Sequence, residues 1–247
     1  MINLFWTGGW DSTFRLLYLL FVEQKKVQPF YIVDVERESF PNEMRTMDII
    51  RERIECETPG YAELLLPTYY RSKKEIRKNT YITKMFKNLR KRFKFAGQYE
   101  FLSRFAEEMC LFDLELSVES DLTDISEHNL FHSYLRSNMV KTQCGSYQLK
   151  EDITDTNLNI FKYYRFPIFD ITKNDMTDIA RNNNFLSILE ETWYCITPIN
   201  NTIPCGTCNP CRFLLKQGIS RKMTIVGKSR YFMSEIYSLV RSKRYIE

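Results

Sequence analysis

Near the beginning of the chain stands Leu4-Phe5-Trp6-Thr7-Gly8-Gly9-Trp10-Asp11-Ser12-Thr13-Phe14. Apolar residues before the glycines predict a buried strand over residues 2–6, and apolar residues at helical spacing after Ser12 predict a helix. Glycines let a ligand approach the backbone, and free amides at a helix N-terminus attract anions. The turn therefore indicates either a tight connection between two core elements or a phosphate site.

The elements that follow alternate between strand and helix. Further strands are predicted over residues 30–35 and 62–66, with a helix that begins at Pro41 between them. Later strands are predicted over residues 114–118 and 163–169. This order predicts an α/β fold with a doubly wound, mainly parallel sheet and right-handed crossovers.

Length and composition describe a globular chain with one main domain. Its 247 residues are 44% hydrophobic and 27% charged, and the net charge of +4 is too small to indicate a polyanionic partner. The apolar run at residues 16–22 is too short to span a bilayer, and no signal peptide is visible. We therefore expect a cytoplasmic protein without a membrane partner. The expected division is an α/β domain over residues 1–190 and a smaller region over residues 191–247.

One segment interrupts the alternation. Residues 71–95 contain eleven basic residues and a single acid, Glu75. Apolar side chains recur at helical spacing through Phe86, Leu89 and Phe93, which predicts a basic helical insertion. Such a segment could contact the phosphate backbone of a nucleic acid. We favour a solvated helix face, and the nucleic-acid partner stays an alternative.

Four of the seven cysteines crowd near one end of the chain. The spacing of Cys195, Cys205, Cys208 and Cys211 is C-x₉-C-x₂-C-x₂-C, among turn residues. Four thiolates suit tetrahedral Zn²⁺, although core cysteines or an iron–sulfur cluster are alternatives. The spacing predicts a structural Zn²⁺ site in a small helical C-terminal region.

The glycine turn resembles a known nucleotide-binding motif. Thr7-Gly8-Gly9-Trp10-Asp11-Ser12 is similar to the S-G-G-x-D-S motif of the PP-loop ATP pyrophosphatases, with threonine in place of the first serine. The resemblance implies an adenine nucleotide α-hydrolase-like fold that splits ATP between its α and β phosphates and adenylates an oxygen of a second substrate. It also implies Mg²⁺ as a cofactor, and it implies that residues 7–13 hold the pyrophosphate. The implied nucleotide-binding residues are Thr7, Gly8, Gly9, Trp10, Asp11, Ser12 and Thr13.

The turn and the cysteines together resemble the 7-cyano-7-deazaguanine synthase (QueC) family. The segment Phe166-Pro167-Ile168-Phe169-Asp170-Ile171-Thr172-Lys173 is similar to a family segment in which a lysine enters a helix. The resemblance implies that Lys173 lies near the ATP phosphates and acts with Asp11 and Ser12 in catalysis. Without the resemblance, Lys173 is equally typical of a solvated first-turn lysine.

The resemblance implies a reaction. The carboxylate of 7-carboxy-7-deazaguanine is adenylated by ATP, and ammonia then gives the amide or, after a second activation, 7-cyano-7-deazaguanine. The sequence departs from the family at residues 34–38, 97–99 and 119–124, where the family binds the deazapurine. Asp121 and Asp124 in the last of these could hold the base or Mg²⁺, or could be solvated loop acids.

These departures leave the acceptor open. One alternative is an enzyme like the QueC-like members of phage-defence systems, which would join the deazaguanine to an amine of a protein acceptor. Another is a tRNA-modifying PP-loop enzyme. A third is a zinc-bearing binding module with an inactive nucleotide site. The sequence is compatible with a homodimer and leaves the oligomeric state open.

Overall fold

Five parallel strands form the centre of the computed structural model, which describes residues 1–119, 127–216 and 223–243. In chain order the strands are β1 (Ile2–Phe5), β2 (Val27–Val33), β3 (Tyr69–Ser72), β4 (Leu114–Glu115), β5 (Met139–Lys141), β6 (Tyr147–Leu149) and β7 (Tyr164–Arg165). The helices are α1 (Trp10–Phe21), α2 (Phe40–Glu57), α3 (Pro59–Ala62), α4 (Thr80–Arg92), α5 (Gln98–Glu108), α6 (Glu127–Ser137), α7 (Lys173–Asn182), α8 (Leu186–Leu189), α9 (Asn209–Lys216) and α10 (Ile225–Lys243).

Strand order places β1 in the middle of the sheet. The order is β3-β2-β1-β4-β7, and all four pairings are parallel. Leu4 of β1 is in register with Pro29 on one side and with Glu115 on the other. The chain builds the sheet outward from β1 in one direction and then in the other, so the order reverses beside β1. In parallel α/β sheets, ligands bind at the carboxyl ends of the strands near such a reversal.

Both faces of the sheet are covered. Side chains of a strand alternate between the two faces, so Leu4 and Trp6 lie on one face and Phe5 lies on the other. The first face packs against α1, α2, α7 and α8, and the second packs against α4 and α5. The prediction of an α/β protein with a mainly parallel sheet is confirmed.

The third strand lies later in the chain than predicted, and its prediction over residues 62–66 is wrong. Ala62 ends the short helix α3, and Leu65 forms only an isolated bridge with Val27. The apolar character of this run is explained by burial, because Leu65 lies in the same hydrophobic cluster as α1 and α2. The strand β3 is instead a polar, half-exposed edge strand, a type that hydrophobic periodicity does not reveal.

The basic segment 71–95 supplies the end of β3 and the helix α4. Asn79 caps α4, because its side-chain oxygen accepts hydrogen bonds from the backbone amides of Tyr81 and Ile82. One face of α4 carries Ile82, Met85 and Leu89, which are buried against the sheet. The predicted helix is therefore present, and its apolar face belongs to the main core.

One further helix was predicted, and one hairpin was not. The helix predicted from Pro41 is α2, which begins one residue earlier at Phe40 and has the proline in its first turn. The stretch 139–149, which carried no strand prediction, forms an antiparallel hairpin of β5 and β6. Among the helices that the structure describes, none combines the length and the apolar character needed to cross a bilayer.

Candidate functional site

The glycine turn joins β1 to α1 at the carboxyl edge of the sheet. Gly8 has a φ of +69°, and a Cβ there would lie 3.1 Å from the backbone oxygen of Glu43. The left-handed backbone and the close approach both disfavour a side chain, so glycine suits this position. Gly9 is the N-cap of α1 and provides no side-chain hydrogen bond to the helix. The first amides of α1 are thus left without a side-chain cap, an arrangement that suits an anion.

Hydrogen bonds of side-chain hydroxyl groups stabilise the turn. The Oγ of Ser12 accepts a hydrogen bond from the amide of Thr7 at 3.2 Å and lies 3.3 Å from the Thr7 hydroxyl oxygen. Thr13 is fully buried, and its Oγ1 accepts from the indole nitrogen of Trp6 at 3.0 Å. Ser12 therefore links the two ends of the turn, and the side chain of Thr13 faces the core beneath it.

Lys173 reaches the turn from the other half of the chain. Thr172 caps α7 in a capping box with Asp175, and Lys173 is the first residue of that helix. The Lys173 ammonium group donates to Asp11 Oδ1 at 3.0 Å and to Glu119 Oε1 at 2.5 Å. The structure therefore brings Asp11 and Lys173 together, as the sequence resemblance implies.

The charge of Lys173 is stabilised at this position. Its side chain is 17% exposed, and burial alone would lower the pKa of the ammonium group. The two carboxylates, Asp11 and Glu119, outweigh that effect and hold the pKa above its ordinary value. Lys173 is therefore a fixed positive charge beside the uncapped end of α1.

A buried ion pair fixes α1 against the neighbouring strand β4. Arg15, one turn after Asp11, donates from Nε and Nη2 to the two oxygens of Glu115 at 2.7 and 2.8 Å. Burial lowers the pKa of the Arg15 guanidinium group, but the carboxylates of Glu115 and Glu23 raise it by more than burial lowers it. The pKa therefore lies above its ordinary value, and the group stays charged. The bidentate geometry fixes the orientation of the helix as well as its position.

Two buried donors near the turn have no partner among the described residues. The indole nitrogen of Trp10 lies in the first turn of α1, and the Oγ of Ser117 follows β4 at the same edge of the sheet. Buried polar atoms are rarely left unpaired, because desolvation without a hydrogen bond costs about 1–3 kcal/mol. Both atoms are consistent with a polar ligand at this edge. Asp121 and Asp124, which the sequence offered for the same purpose, lie outside the described residues.

The four predicted cysteines form one compact cluster. The sulfur atoms of Cys195, Cys205, Cys208 and Cys211 all lie within 4.8 Å of one another. Cys205 and Cys211 are 4.0 Å apart, and Cys195 and Cys208 are 3.9 Å apart. A tetrahedral zinc with sulfur ligands at about 2.3 Å requires sulfur separations of roughly 3.8 Å. The cluster therefore has the dimensions to hold one metal ion and is compatible with zinc.

Hydrogen bonds around Cys205 favour its thiolate form. Its Sγ lies 3.4 Å from the amide of Thr207, 3.3 Å from the amide of Cys208 and 3.4 Å from the hydroxyl of Thr197. Burial raises the pKa of the thiol, but these hydrogen bonds together lower it below its ordinary value. Donors of this kind orient thiolate ligands in metal sites.

The cysteine region packs closely against the last described helix. Gly206 has a φ of +77°, and a Cβ there would lie 1.9 Å from the backbone oxygen of Gly227 in α10. A Cβ on Gly227 would in turn lie 2.7 Å from the backbone oxygen of Pro204. The two glycines therefore allow backbone-to-backbone contact between the cysteine loop and α10.

The cysteine region also contacts the glycine turn. The amide of Trp193 donates to the carbonyl of Gly8 at 3.0 Å, and the Lys173 ammonium lies 5.4 Å from the ring centroid of Phe213. The side chain of Asn42 donates to the backbone oxygen of Asn201 at 2.7 Å. These contacts place the cysteine region beside the glycine turn and the first turn of α2.

No family model matches the chain, and no curated protein matches it. A function is therefore inferred from the site itself.

Sequence analysis missed several residues that shape the turn. Glu119 follows β4 as an acid at the end of a buried strand, and that position is a usable signal for a site residue. Arg15 and Glu115 each interrupt an apolar stretch with an opposite charge, which is a second usable signal. Trp193 donates a hydrogen bond to Gly8, and the ring of Phe213 lies beside the Lys173 ammonium group. Both contacts join distant parts of the chain, so no local sequence pattern predicts them.

Proposed function

We propose that the protein is a PP-loop ATP pyrophosphatase with a doubly wound, adenine nucleotide α-hydrolase-like fold, and that it adenylates a carboxylate. One observation carries the proposal. The Gly8-Gly9 turn leaves the N-terminus of α1 without a side-chain cap, and it does so beside Lys173 at the point where strand order reverses. This combination of free amides, helix dipole and fixed ammonium group suits a polyphosphate.

The residues present fit ATP and Mg²⁺. The amides of residues 8–12 would donate hydrogen bonds to the β and γ phosphates, and Ser12 would support the turn between the two glycines and α1. Mg²⁺ prefers oxygen ligands, and the carboxylates of Asp11 and Glu119 are the described candidates to hold it. When bound, Mg²⁺ would neutralise charge on the phosphates. Lys173 would then exchange a carboxylate partner for a phosphate oxygen as pyrophosphate leaves.

The proposed substrate is 7-carboxy-7-deazaguanine. A carboxylate oxygen attacks the α-phosphorus of ATP, the α–β phosphoanhydride bond breaks, and pyrophosphate leaves with its electron pair. Ammonia then adds to the acyl carbon and displaces AMP, which gives the amide. A second ATP then adenylates the amide oxygen with release of pyrophosphate. Loss of AMP with that oxygen, and of both protons from the amide nitrogen, gives the nitrile. In this reaction the protein mainly holds the reactants and stabilises charge.

Unpaired donors beside the turn support a polar ligand there. Trp10 Nε1 and Ser117 Oγ would each gain an acceptor from the nucleotide or from the deazapurine. The four cysteines would hold a structural zinc ion, because a closed four-sulfur site leaves no position for a substrate.

One incubation tests the proposal. Protein, ATP, Mg²⁺ and 7-carboxy-7-deazaguanine are mixed with and without ammonia, and the products are identified by mass. Pyrophosphate release that requires the deazapurine is the expected result. Ammonia should then yield the amide or nitrile; a deazapurine acyl group on an added protein or tRNA would instead identify one of the alternative acceptors. No pyrophosphate release under any of these conditions would contradict the proposal.

Two substitutions locate the reaction at the turn. Asp11→Ala removes a carboxylate beside Lys173, and Gly9→Val places a side chain where a Cβ already lies 3.3 Å from the Thr7 hydroxyl. Each should reduce pyrophosphate release at least 100-fold, as expected for loss of a group that stabilises transition-state charge. Asp178→Ala is the matched control, because that exposed carboxylate pairs with Arg181 and with no other residue that the structure describes. Wild-type rates of pyrophosphate release in both turn variants would show that residues 7–13 are not part of the active site.

A further inference from the structure

The outer face of α4 carries positive charge that the proposed reaction does not use. Between Glu75 and Glu100 the chain has eight basic residues and no acid. Because the whole chain carries +4 and this segment carries +8, the remainder of the chain is net negative. The positive charge of the protein is therefore concentrated on α4 and the residues that flank it.

Three lysines form a stripe on that face. Lys84, Lys87 and Lys91 are spaced by three and four residues, so they lie on one side of the helix, opposite the buried Ile82 and Leu89. All three are exposed, and none forms a salt bridge with another described residue. Neighbours at this spacing are about 5–6 Å apart and repel one another, which destabilises the helix in the absence of a counter-charge.

The needs of the fold do not account for this stripe. Cations are favourable in the last turn of a helix, which explains Lys91 together with Arg90 and Arg92. Lys84 and Lys87 lie in the middle of α4, where the helix dipole gives no such benefit. Arg92 is paired with Asp155 at 2.5 Å, so the structure supplies a carboxylate at one end of the helix and leaves the middle unpaired.

An aromatic side chain stands beside the lysines. Tyr81 lies one turn before Lys84 and is 62% exposed, whereas the apolar side chains of the opposite face are buried. An exposed ring next to cations is the combination that binds single-stranded nucleic acids, because a base stacks on the ring while ammonium groups contact the phosphates. Repulsion along the stripe would be relieved by such a ligand.

We propose that the outer face of α4 binds single-stranded nucleic acid through Tyr81, Lys84, Lys87 and Lys91. The lysines would contact consecutive phosphates, and the tyrosine would stack on a base near the N-terminal end of the helix. Ammonium groups and a ring do not distinguish a ribose from a deoxyribose, so RNA and DNA strands of equal length bind alike. The surface is separate from the glycine turn, and the proposal goes beyond the adenylation reaction without requiring a nucleic acid as its acceptor.

Fluorescence anisotropy of labelled 20-nucleotide oligo(U) and oligo(dT) tests the proposal on the full chain. With three phosphates neutralised, one by each lysine, raising the salt from 50 to 200 mM should weaken binding to a single strand about 20-fold. Replacing the three lysines by glutamine should remove almost all of that salt dependence. The control replaces Lys25, Lys26 and Lys150, which are exposed elsewhere, and should keep the wild-type salt dependence.

Tyr81 separates a nucleic-acid site from a general polyanion site. Tyr81→Ala should weaken oligonucleotide binding about tenfold, and Tyr81→Phe, which keeps the ring, should not. Inorganic polyphosphate and polyglutamate of equal charge serve as competitors. Equal competition by either one, with no loss in Tyr81→Ala, would overturn the proposal, as would an unchanged salt dependence in the triple glutamine variant. All of these measurements are made without ATP, so they stand or fall independently of pyrophosphate release.

Discussion

The cysteine cluster takes its four sulfur atoms from residues 195–211, whereas the glycine turn is completed by Glu119, Lys173 and Trp193 from distant parts of the chain. The cluster depends on two short loops and on amides that point at sulfur. The turn depends on the sheet, on the α1–β4 ion pair and on the capped start of α7. A local arrangement can fail without disturbing the rest of the protein, but a dispersed one fails whenever any of its supports moves.

The largest expected effect is the loss of a cysteine ligand. Cys208→Ser should reduce the bound zinc from about one ion per chain to almost none, because a closed site needs all four sulfurs. The cysteine region should lose its protection from hydrogen exchange while the sheet keeps its own. Metal analysis and hydrogen-exchange mass spectrometry measure both results.

The prediction for Cys208→Ser has a matched control. Cys110→Ser changes an exposed, isolated cysteine and should leave metal content and exchange unchanged. If Cys208→Ser unfolds the whole sheet, the cysteine cluster is not a local arrangement, and the contrast between the two regions is wrong. A metal-free protein that keeps the wild-type exchange pattern would also contradict it.

The next effect concerns the support of the glycine turn. Arg15→Met removes the partner of the buried Glu115, whose side chain is 8% exposed, and an unpaired buried charge costs about 3–5 kcal/mol. For a protein of this size that cost lowers the midpoint of thermal unfolding by roughly 10 °C. Calorimetry measures the change.

Two variants sharpen the Arg15 prediction. Arg181→Met breaks a more exposed pair with Asp178 and should change stability by less than about 1 kcal/mol. Adding Glu115→Met to Arg15→Met should recover most of the loss, because two apolar side chains replace the ion pair. A midpoint for Arg15→Met within 2 °C of wild type would show that the turn does not depend on this pair.

The smallest effect is at the start of α7. Thr172→Ala removes the N-cap hydroxyl and should cost about 1 kcal/mol, or roughly 2–4 °C in the unfolding midpoint. Hydrogen bonds from the Thr172 hydroxyl and amide lower the pKa of Asp175, so the stabilisation by that carboxylate is present at neutral pH and is lost as the pH falls through its pKa. The difference between wild type and variant should therefore shrink in acid. Calorimetry from pH 7 down to pH 3 measures it, with Thr202→Ala as an exposed control; a difference that grows in acid would contradict the cap.

Local patterns predicted the local parts of this molecule. The strand β1, the glycine turn and the cysteine cluster were all predictable, because hydrophobic runs, glycines and ligand spacing lie within a few residues of one another. The strand β3 was not, since an edge strand with the sequence Tyr69-Tyr70-Arg71-Ser72 has little apolar periodicity. The ion pair of Arg15 with Glu115 joins residues 100 positions apart, and only the fold brings them together.

The hydrogen bond from Trp193 to Gly8 has a consequence for the growing polypeptide. The ribosome makes Gly8 185 residues before it makes Trp193. Throughout that interval the carbonyl of Gly8 lacks its native partner. The turn is thus completed only long after its own residues have been synthesised.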